Sequence, residues 1–591
     1  MRTALLAAAR PALVGWLGLA VVCLTPTVSR AAGPAEKALP GTTFALIKAD
    51  SVAKLRAAFE KSQYGQLLAD PAMKPLKDDI ARKLEETSRK LKEKIGVTLA
   101  ELADLPQGPA WLALVSRDDP KLPFAILLSA DAGTNEKAMA DVLERTTQQA
   151  EKDGAKVTTE TFQGLKLTIL RSGKEPDKDK PQPPLVWTQK GSAFTIATDI
   201  EALKDLLAHT DGREESLATN ASFQALTKRV GAEAQVLWFL DVTQIIKLAA
   251  QVGAAQGGNA EQVIAQLQFL GLDSLKGIGG SFAFGVGDFD QVSKTYLYAP
   301  GPAQGLLKIF AMPLVNLKPQ PWVPASTASY QSFSWDLDNA YNAIEEFANN
   351  FQQGLLANIE KQIAGPNGAE ISFQKDFFGP IGDRITIISD FKKPITEKSQ
   401  RVLFAIALED AKAFQNTLNK VIDLAKASPK KREFQGTTIY DFEVPNLPNA
   451  NVALEGPLSV AIAKDHLFIT TEPTLLEQVL RGGGAGLAET PEYQAFAKHI
   501  PAASSTLNYN KPEEAARLTY DMIKSGQLKK ALEGAKAANG PDLSRLSGLI
   551  DPEKLPEFSV FAKYLSQGGG YGLMGEDGML FTRFSLKKAN P

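Results

Sequence analysis

Ser51 and Lys54 come closest to a catalytic pair in this chain. They stand three residues apart at the start of an amphipathic stretch, so both side chains would lie on one face of a first helical turn. In that arrangement the lysine can take the serine proton and make the hydroxyl a nucleophile. The alternative is a simple helix start, in which the Ser51 hydroxyl accepts a hydrogen bond from a free backbone N–H.

The rest of the sequence favours the helix start. S-x-x-K is also the spacing of the penicillin-binding and β-lactamase group, and 524–526 could pass for that group's later K-[ST]-G element. However, S-x-x-K recurs at 428–431 and 585–588, no S-x-N element lies between, and 524–526 is expected to end a helix. Ser51 and Lys54 are kept as candidates only.

The spacings that metal and nucleotide sites require are missing. His209, His466 and His499 have no second histidine three or four residues away, and the only cysteine is Cys23. The glycines of 482–486 follow a predicted helix, whereas a phosphate-binding loop must open one. We therefore predict no metal ion and no cofactor.

Acidic residues recur at predicted strand-to-helix junctions, where several carboxylates could form a site. They are Asp50, Asp199, Asp241, Asp336 and Glu472. Acids at helix starts are also typical of capping. Asn510 takes the place of Asp241 in the second half of the chain, which a cap would allow and a general acid would not. Capping is the favoured interpretation.

The chain matches itself in three places at nearly one offset. Matches of this kind predict a tandem duplication of a unit of about half the chain. A motif that is present in only one copy is then unlikely to be the functional feature that the fold serves. The matching segments are 162–164 with 434–436, 194–207 with 467–480, and 218–228 with 488–498.

Strand pairs separated by single helices predict an α+β fold. We expect each copy to be an antiparallel sheet with helices packed on one face, locally like a split βαβ unit. The predicted boundaries are 40–300 for copy one, 301–325 for a proline-rich linker, and 326–588 for copy two. Trp322 in the linker either pins the copies together or faces a partner, and pinning is favoured.

Residues 74–95 predict a helix with a narrow apolar stripe and a charged outer face. Its expected counterpart in copy two, 347–363, has more aromatic residues and fewer charges. This asymmetry indicates that the two copies face different neighbours.

Residues 1–31 have the pattern of a secretory signal peptide, with Arg2 and Arg10 before an apolar run and small residues near Ala31. No later segment is long and apolar enough for a membrane span. Removing the signal leaves a cysteine-free chain with a net charge of about −5 and interspersed charges. An exported chain without a basic surface is a poor candidate for binding nucleic acid.

The start of the mature chain resembles a family of exported bacterial proteins known only as a domain of unknown function. The resemblance rests on Leu39-Pro40 before a strand and helix, and on the G-x-L-x-x-D-P element at 65–71. It covers mainly the part of the chain before position 130 or so. It implies an exported cell-envelope protein and supplies no catalytic residues.

Three functions follow as hypotheses. The first is a non-catalytic envelope protein that binds a partner protein through its paired copies. The second is a carrier of an apolar ligand, held between a sheet and a covering helix near 236–240. The third is an exported serine hydrolase that uses Ser51 and Lys54.

Overall fold

A computed structural model describes residues 34–119, 121–173, 182–255, 260–364, 372–396, 399–443, 457–534 and 550–588. The predicted signal peptide at 1–31, with Cys23, lies outside these residues. Helices and antiparallel strands make up the regular structure of the described residues, consistent with an α+β fold.

Twenty strands of the described residues join in one antiparallel sheet. The first half supplies β1 Thr43–Ala49, β2 Ala110–Ser116, β3 Phe124–Asp131, β4 Lys156–Phe162, β5 Leu165–Arg171, β6 Leu185–Lys190, β7 Ala193–Ala197, β8 Val236–Asp241, β9 Gly277–Phe284 and β10 Phe289–Tyr298. The second half supplies β11 Ser329–Ser334, β12 Ile381–Phe391, β13 Gln400–Leu408, β14 Lys430–Phe434, β15 Thr437–Phe442, β16 Leu458–Ala463, β17 His466–Thr470, β18 Thr506–Asn510, β19 Gly568–Gly575 and β20 Gly578–Leu586.

The strand order is the same in both halves. From its outer edge inward, the first half runs β4-β5-β6-β7-β3-β2-β1-β8-β9-β10. The second half runs β14-β15-β16-β17-β13-β12-β11-β18-β19-β20. The halves meet where β10 pairs with β20, from Phe289 opposite Leu586 to Tyr298 opposite Gly578. The sheet is therefore continuous across the middle of the molecule.

Helices connect these strands. Those of the first half are α1 Ala35–Ala38, α2 Val52–Lys61, α3 Gln63–Ala69, α4 Lys74–Ile95, α5 Leu99–Asp104, α6 Glu136–Lys152, α7 Ile200–Ala208, α8 Ala221–Val230, α9 Val242–Ala255 and α10 Ala260–Phe269. Those of the second half are α11 Leu337–Asn349, α12 Leu355–Ala364, α13 Ala411–Leu424, α14 Pro473–Arg481, α15 Pro491–Ala497, α16 Pro512–Lys524, α17 Gln527–Gly534 and α18 Phe558–Ala562.

Helices cover both faces of the sheet, so the expectation of helices on one face is wrong. Successive side chains of a strand point to opposite faces. On β3, Leu127 packs in the cluster that contains α7 and α8, whereas Leu128 packs against the cluster that contains α6. The second half repeats this, because Phe468 and Leu467 of β17 belong to different clusters.

One ion pair and one histidine–carboxylate contact cross between the halves at corresponding places. Asp577, in the turn between β19 and β20, accepts hydrogen bonds from Arg229 at the end of α8, at 2.9 and 3.0 Å. Asp288, in the turn between β9 and β10, lies 3.7 Å from His499, just after α15. Each half thus presents a hairpin turn to the helix end of the other half.

The helix predicted at 74–95 is present as α4. The prediction of one helix over 347–363 is wrong, because α11 ends at Asn349 and α12 begins at Leu355. Gly354 has a φ of 71°, in the left-handed region, and its N–H donates to Asn349 Oδ1 at 2.8 Å. This turn separates the two helices.

The segment 301–325 lies against the second half. Its regular structure is limited to a 3₁₀ turn at Gly305–Phe310 and single bridges at Val315 and Pro324. Arg384 donates to the carbonyl of Lys318 at 2.7 Å, and Tyr330 donates to the carbonyl of Leu317 at 2.7 Å.

Trp322 is buried rather than open to a partner. Its ring lies 5.3 Å from the ring of His466 and 5.1 Å from that of Phe468. Both contacts belong to the second half, so Trp322 holds the linker to that half, and the prediction that it pins the two copies together is not confirmed.

Candidate functional site

Ser51 stands immediately before α2 and caps it. Its Oγ accepts a hydrogen bond from the backbone N–H of Lys54 at 3.2 Å and donates to the Gln107 carbonyl at 3.4 Å. The Lys54 side chain is exposed. This arrangement accounts for Ser51 by helix capping, since its hydrogen bond with Lys54 runs to the backbone.

The other sequence signals fall where local structure explains them. α16 ends at Lys524, and Gly526 has a φ of 72°, so 524–526 is a helix end. Gly482 likewise follows the last residue of α14. Gly279 lies inside β9, where a Cβ would come within 2.1 Å of Leu226, so glycine allows α8 to approach the sheet closely.

Three of the five junction acids cap helices, as expected. Asp199, Asp241 and Asp336 accept hydrogen bonds from the backbone N–H three residues later, at 2.7, 2.9 and 2.9 Å. The other two form ion pairs instead. Asp50 pairs with Lys48 at 3.3 Å and Glu472 pairs with Lys392 at 2.5 Å.

His209 and His466 each contact a nearby backbone carbonyl rather than another histidine. His209 Nδ1 is 2.8 Å from the Asp205 carbonyl, and His466 Nδ1 is 2.6 Å from the Lys464 carbonyl. Burial lowers the pKa of His466, which therefore stays neutral near pH 7. Within the described ranges, no three His, Cys, Asp or Glu side chains are grouped so that they could hold a metal ion.

Two concave spaces among the described residues are candidates for a ligand. A cavity of about 170 Å³ between β9, β10 and β20 is lined mainly by apolar side chains such as Phe289, Val292 and Phe584, together with Glu233, Lys294 and His499. It is smaller than the roughly 300–1,000 Å³ that is typical of ligand pockets. A cleft of about 600 Å³ near the start of α16 is lined mainly by charged side chains of both signs. They are Asp390, Lys393, Arg401, Lys511, Glu513, Glu514 and Arg517. The stretch proposed for an apolar carrier is core, since Leu237 and Phe239 are buried.

Two junctions form where helices of one half meet helices of the other. In the first, called the covered junction, helices that follow β1 meet helices that follow β18. Met73, Leu76 and Ile80 pack there against Tyr520 and Phe558. The rings of Tyr520 and Phe558 lie 5.6 Å apart, and both side chains are buried. The first turns of α4 thus exclude water from these aromatic rings.

The second, called the open junction, is formed by the corresponding helices that follow β11 and β8. The ring of Phe269, at the end of α10, lies 4.9 Å from that of Phe347 and 5.7 Å from that of Phe351. Phe269 is 42% exposed and Phe351 is 67% exposed. Leu272 is also exposed, as is Phe310 in the 3₁₀ turn that packs along α11. Contiguous exposed apolar side chains are typical of interaction surfaces.

Sequence reasoning did not single out these phenylalanines. The signal available was the aromatic, weakly charged character of 347–363. Phe269 carried no such signal, because it reaches the cluster only through the pairing of the halves.

A family model described as a protein of unknown function (DUF3352) matches residues 321–533. The match lies in the second half, whereas the resemblance was expected mainly at the start of the mature chain. It supports a relation to a domain-of-unknown-function family over less than half of the chain. No curated protein and no solved structure matches.

The described helices include none with the length and apolarity of a membrane span.

Proposed function

We propose that this chain is an exported cell-envelope protein that binds a partner protein and does no catalysis. The observation that carries the proposal is the open junction, where Phe269, Phe347 and Phe351 contact one another while two of the three are exposed. Leaving such a cluster in water is unfavourable by roughly 25 cal/mol for each Å² of apolar surface. A partner that covers it would recover that free energy.

The alternatives receive less support. An apolar carrier needs an apolar cavity, and the larger cleft is lined mainly by charges. A serine hydrolase needs a base within reach of Ser51, and the Ser51 hydroxyl bonds to backbone groups.

We also infer that the two halves arose by tandem duplication. The support is the shared strand order, with strand numbers offset by ten, and the two side-chain contacts, Arg229–Asp577 and His499–Asp288, that cross at corresponding places. Superposing β1–β10 on β11–β20 checks this inference. Strands that did not coincide in their shared order in the superposition would contradict it.

The test of partner binding is photo-crosslinking in cells that express the chain naturally. Position 351 is replaced by p-benzoylphenylalanine, and position 404 serves as the matched control because Phe404 is an exposed phenylalanine on β13. We expect a polypeptide adduct from position 351 and none from position 404. Absence of any polypeptide adduct at 351, or equal adducts at both, contradicts the proposal.

A second measurement separates partner binding from the carrier hypothesis. The chain is purified gently from the same cells and weighed intact by native mass spectrometry. A stoichiometric small mass that is lost on solvent extraction would favour the carrier. A bare chain or one that retains a polypeptide counts against it.

A further inference from the structure

The covered junction shows what this fold places over such an aromatic cluster. There Tyr520 and Phe558 receive one face of α4, through Leu76 and Ile80. The outer face of α4 is strongly charged, so water and apolar contacts are separated on one helix. An amphipathic helix can therefore cover an aromatic cluster of this kind with its apolar face while its charged face remains in water.

The charges of α4 and α11 indicate which kind of amphipathic helix the open junction would bind. α4 carries eight Lys and Arg against five Asp and Glu, a net charge of +3. α11, which provides Phe347 at the open junction, carries Asp338, Glu345 and Glu346 and no basic residue. All three acids are exposed, and among the described residues only Glu346 has an ion-pair partner, Lys308 at 2.7 Å. α11 therefore carries a net charge of −3, part of which Lys308 offsets.

The carboxylates on and near α11 contribute to raised pKa values of neighbouring groups. Burial and the nearby Glu345 and Glu360 raise the pKa of Tyr341 on α11. Burial together with Asp336, Glu409 and Asp338 raises the pKa of Asp383 near the start of the same helix. A cation placed along α11 would relieve this repulsion between carboxylates.

We propose that the open junction binds a basic amphipathic helix of the partner protein, with its apolar stripe on Phe269, Phe347 and Phe351 and its basic residues facing Glu345 and Glu346. This inference rests on the proposed partner-binding function and adds the chemical class of the partner segment. The exposed rings supply the apolar contact area, and the acids favour the basic helix over a neutral or acidic one.

The probe is a labelled synthetic peptide of residues 74–95, which has the apolar stripe and the net positive charge of α4. Its binding to the full mature chain is measured by fluorescence anisotropy. We expect Phe351→Asp to weaken binding at least about tenfold, since a central exposed aromatic is a hot-spot position. Phe404→Asp, the matched control, should leave the affinity unchanged.

Two further comparisons test the charge. Glu345→Gln combined with Glu346→Gln should weaken binding about threefold or more and reduce its dependence on salt. A peptide with the same apolar residues and all eight basic residues changed to glutamate should bind at least about tenfold more weakly. Equal binding of the two peptides, or insensitivity to Phe351→Asp, would overturn the inference.

The crosslinks from position 351 separate this inference from the proposed function. A crosslinked segment that is basic and amphipathic supports both. A polypeptide adduct mapped to an acidic segment, an extended segment or a second copy of this chain leaves partner binding in place and overturns the basic helix. No polypeptide adduct overturns both.

Discussion

The covered and open junctions are built from corresponding helices, yet one is buried and the other faces water. At the covered junction α4 lies over Tyr520 and Phe558. At the open junction the chain between α11 and α12 turns at Gly354, and Phe351 in that turn remains exposed. α4 is continuous over 22 residues, whereas the turn at Gly354 separates α11 from α12. One continuous helix closes the covered junction, and the turn leaves Phe351 of the open junction exposed.

The cores of the two halves also differ, at one pair of aromatic residues in equivalent positions. Phe223 and Phe239 form an edge-to-face pair at 5.3 Å in the first half. Tyr493 and Tyr509 form the equivalent pair at 5.2 Å in the second. Both tyrosine hydroxyls are buried without a hydrogen-bond partner among the described residues. The second half thus carries polar groups where the first half is apolar.

The largest expected effect separates the junctions by stability. Phe558→Ala should lower the free energy of unfolding by about 3 kcal/mol, because it opens a cavity in a buried cluster. Phe351→Ala should cost less than about 1 kcal/mol, because its side chain is already largely exposed. Urea denaturation of both variants measures the difference. Equal losses would contradict the distinction between the junctions.

The tyrosine pair should respond in the opposite sense. Tyr493→Phe and Tyr509→Phe should each leave the chain equally stable or up to about 1 to 2 kcal/mol more stable, because each removes an unpartnered buried hydroxyl. The matched control, Phe223→Tyr, should destabilise the first half. A clear loss of stability in Tyr493→Phe would mean that its hydroxyl is satisfied in solution.

Corresponding helix starts should behave alike. Ser51 caps α2 and Asp336 caps α11, so Ser51→Ala and Asp336→Ala should each lower the free energy of unfolding by about 1 kcal/mol. Thermal unfolding provides the measurement. Any ester hydrolysis by the purified chain should be unchanged in Ser51→Ala, and its complete loss would revive the hydrolase hypothesis.

The smallest expected effect concerns pH. At the covered junction, hydrogen bonds from the Ala72 N–H and the Tyr564 hydroxyl lower the pKa of Asp70 below its ordinary value of 3.8. Its contribution to stability is therefore present above pH 3.8 and lost as the pH falls through the folded-state pKa. Asp70→Asn should reduce the loss of stability in acid, as measured by Tm between pH 7 and pH 3.

Asp383, near the start of α11, should show the reverse pH dependence. Burial and the neighbouring carboxylates raise its pKa, so its contribution is greatest below pH 3.8 and is lost as the pH rises through the folded-state pKa. Asp383→Asn should raise Tm slightly at pH 7, with a difference that shrinks in acid. A Tm difference that grows in acid would contradict a raised pKa of Asp383.

Several local features were predictable because they depend on neighbouring residues in the chain. The α4 boundaries, the caps at Asp199 and Asp336, and the helix end at 524–526 all follow from periodicity and capping. The turn at Gly354 was missed, because the aromatic pattern of 347–363 is compatible with one continuous helix. The burial of Trp322 against the second half also depends on which strands lie beneath the linker.

The sequence by itself determined the α+β character of the chain, the order of its elements and the repetition of its patterns. Only the tertiary structure decided that β10 pairs with β20 in one continuous sheet, that helices cover both faces, and that one junction is closed while the other is open. The physical reason is distance along the chain. Phe269 and Phe351 contact each other because the halves pair edge to edge, and no local periodicity records a contact made through that pairing.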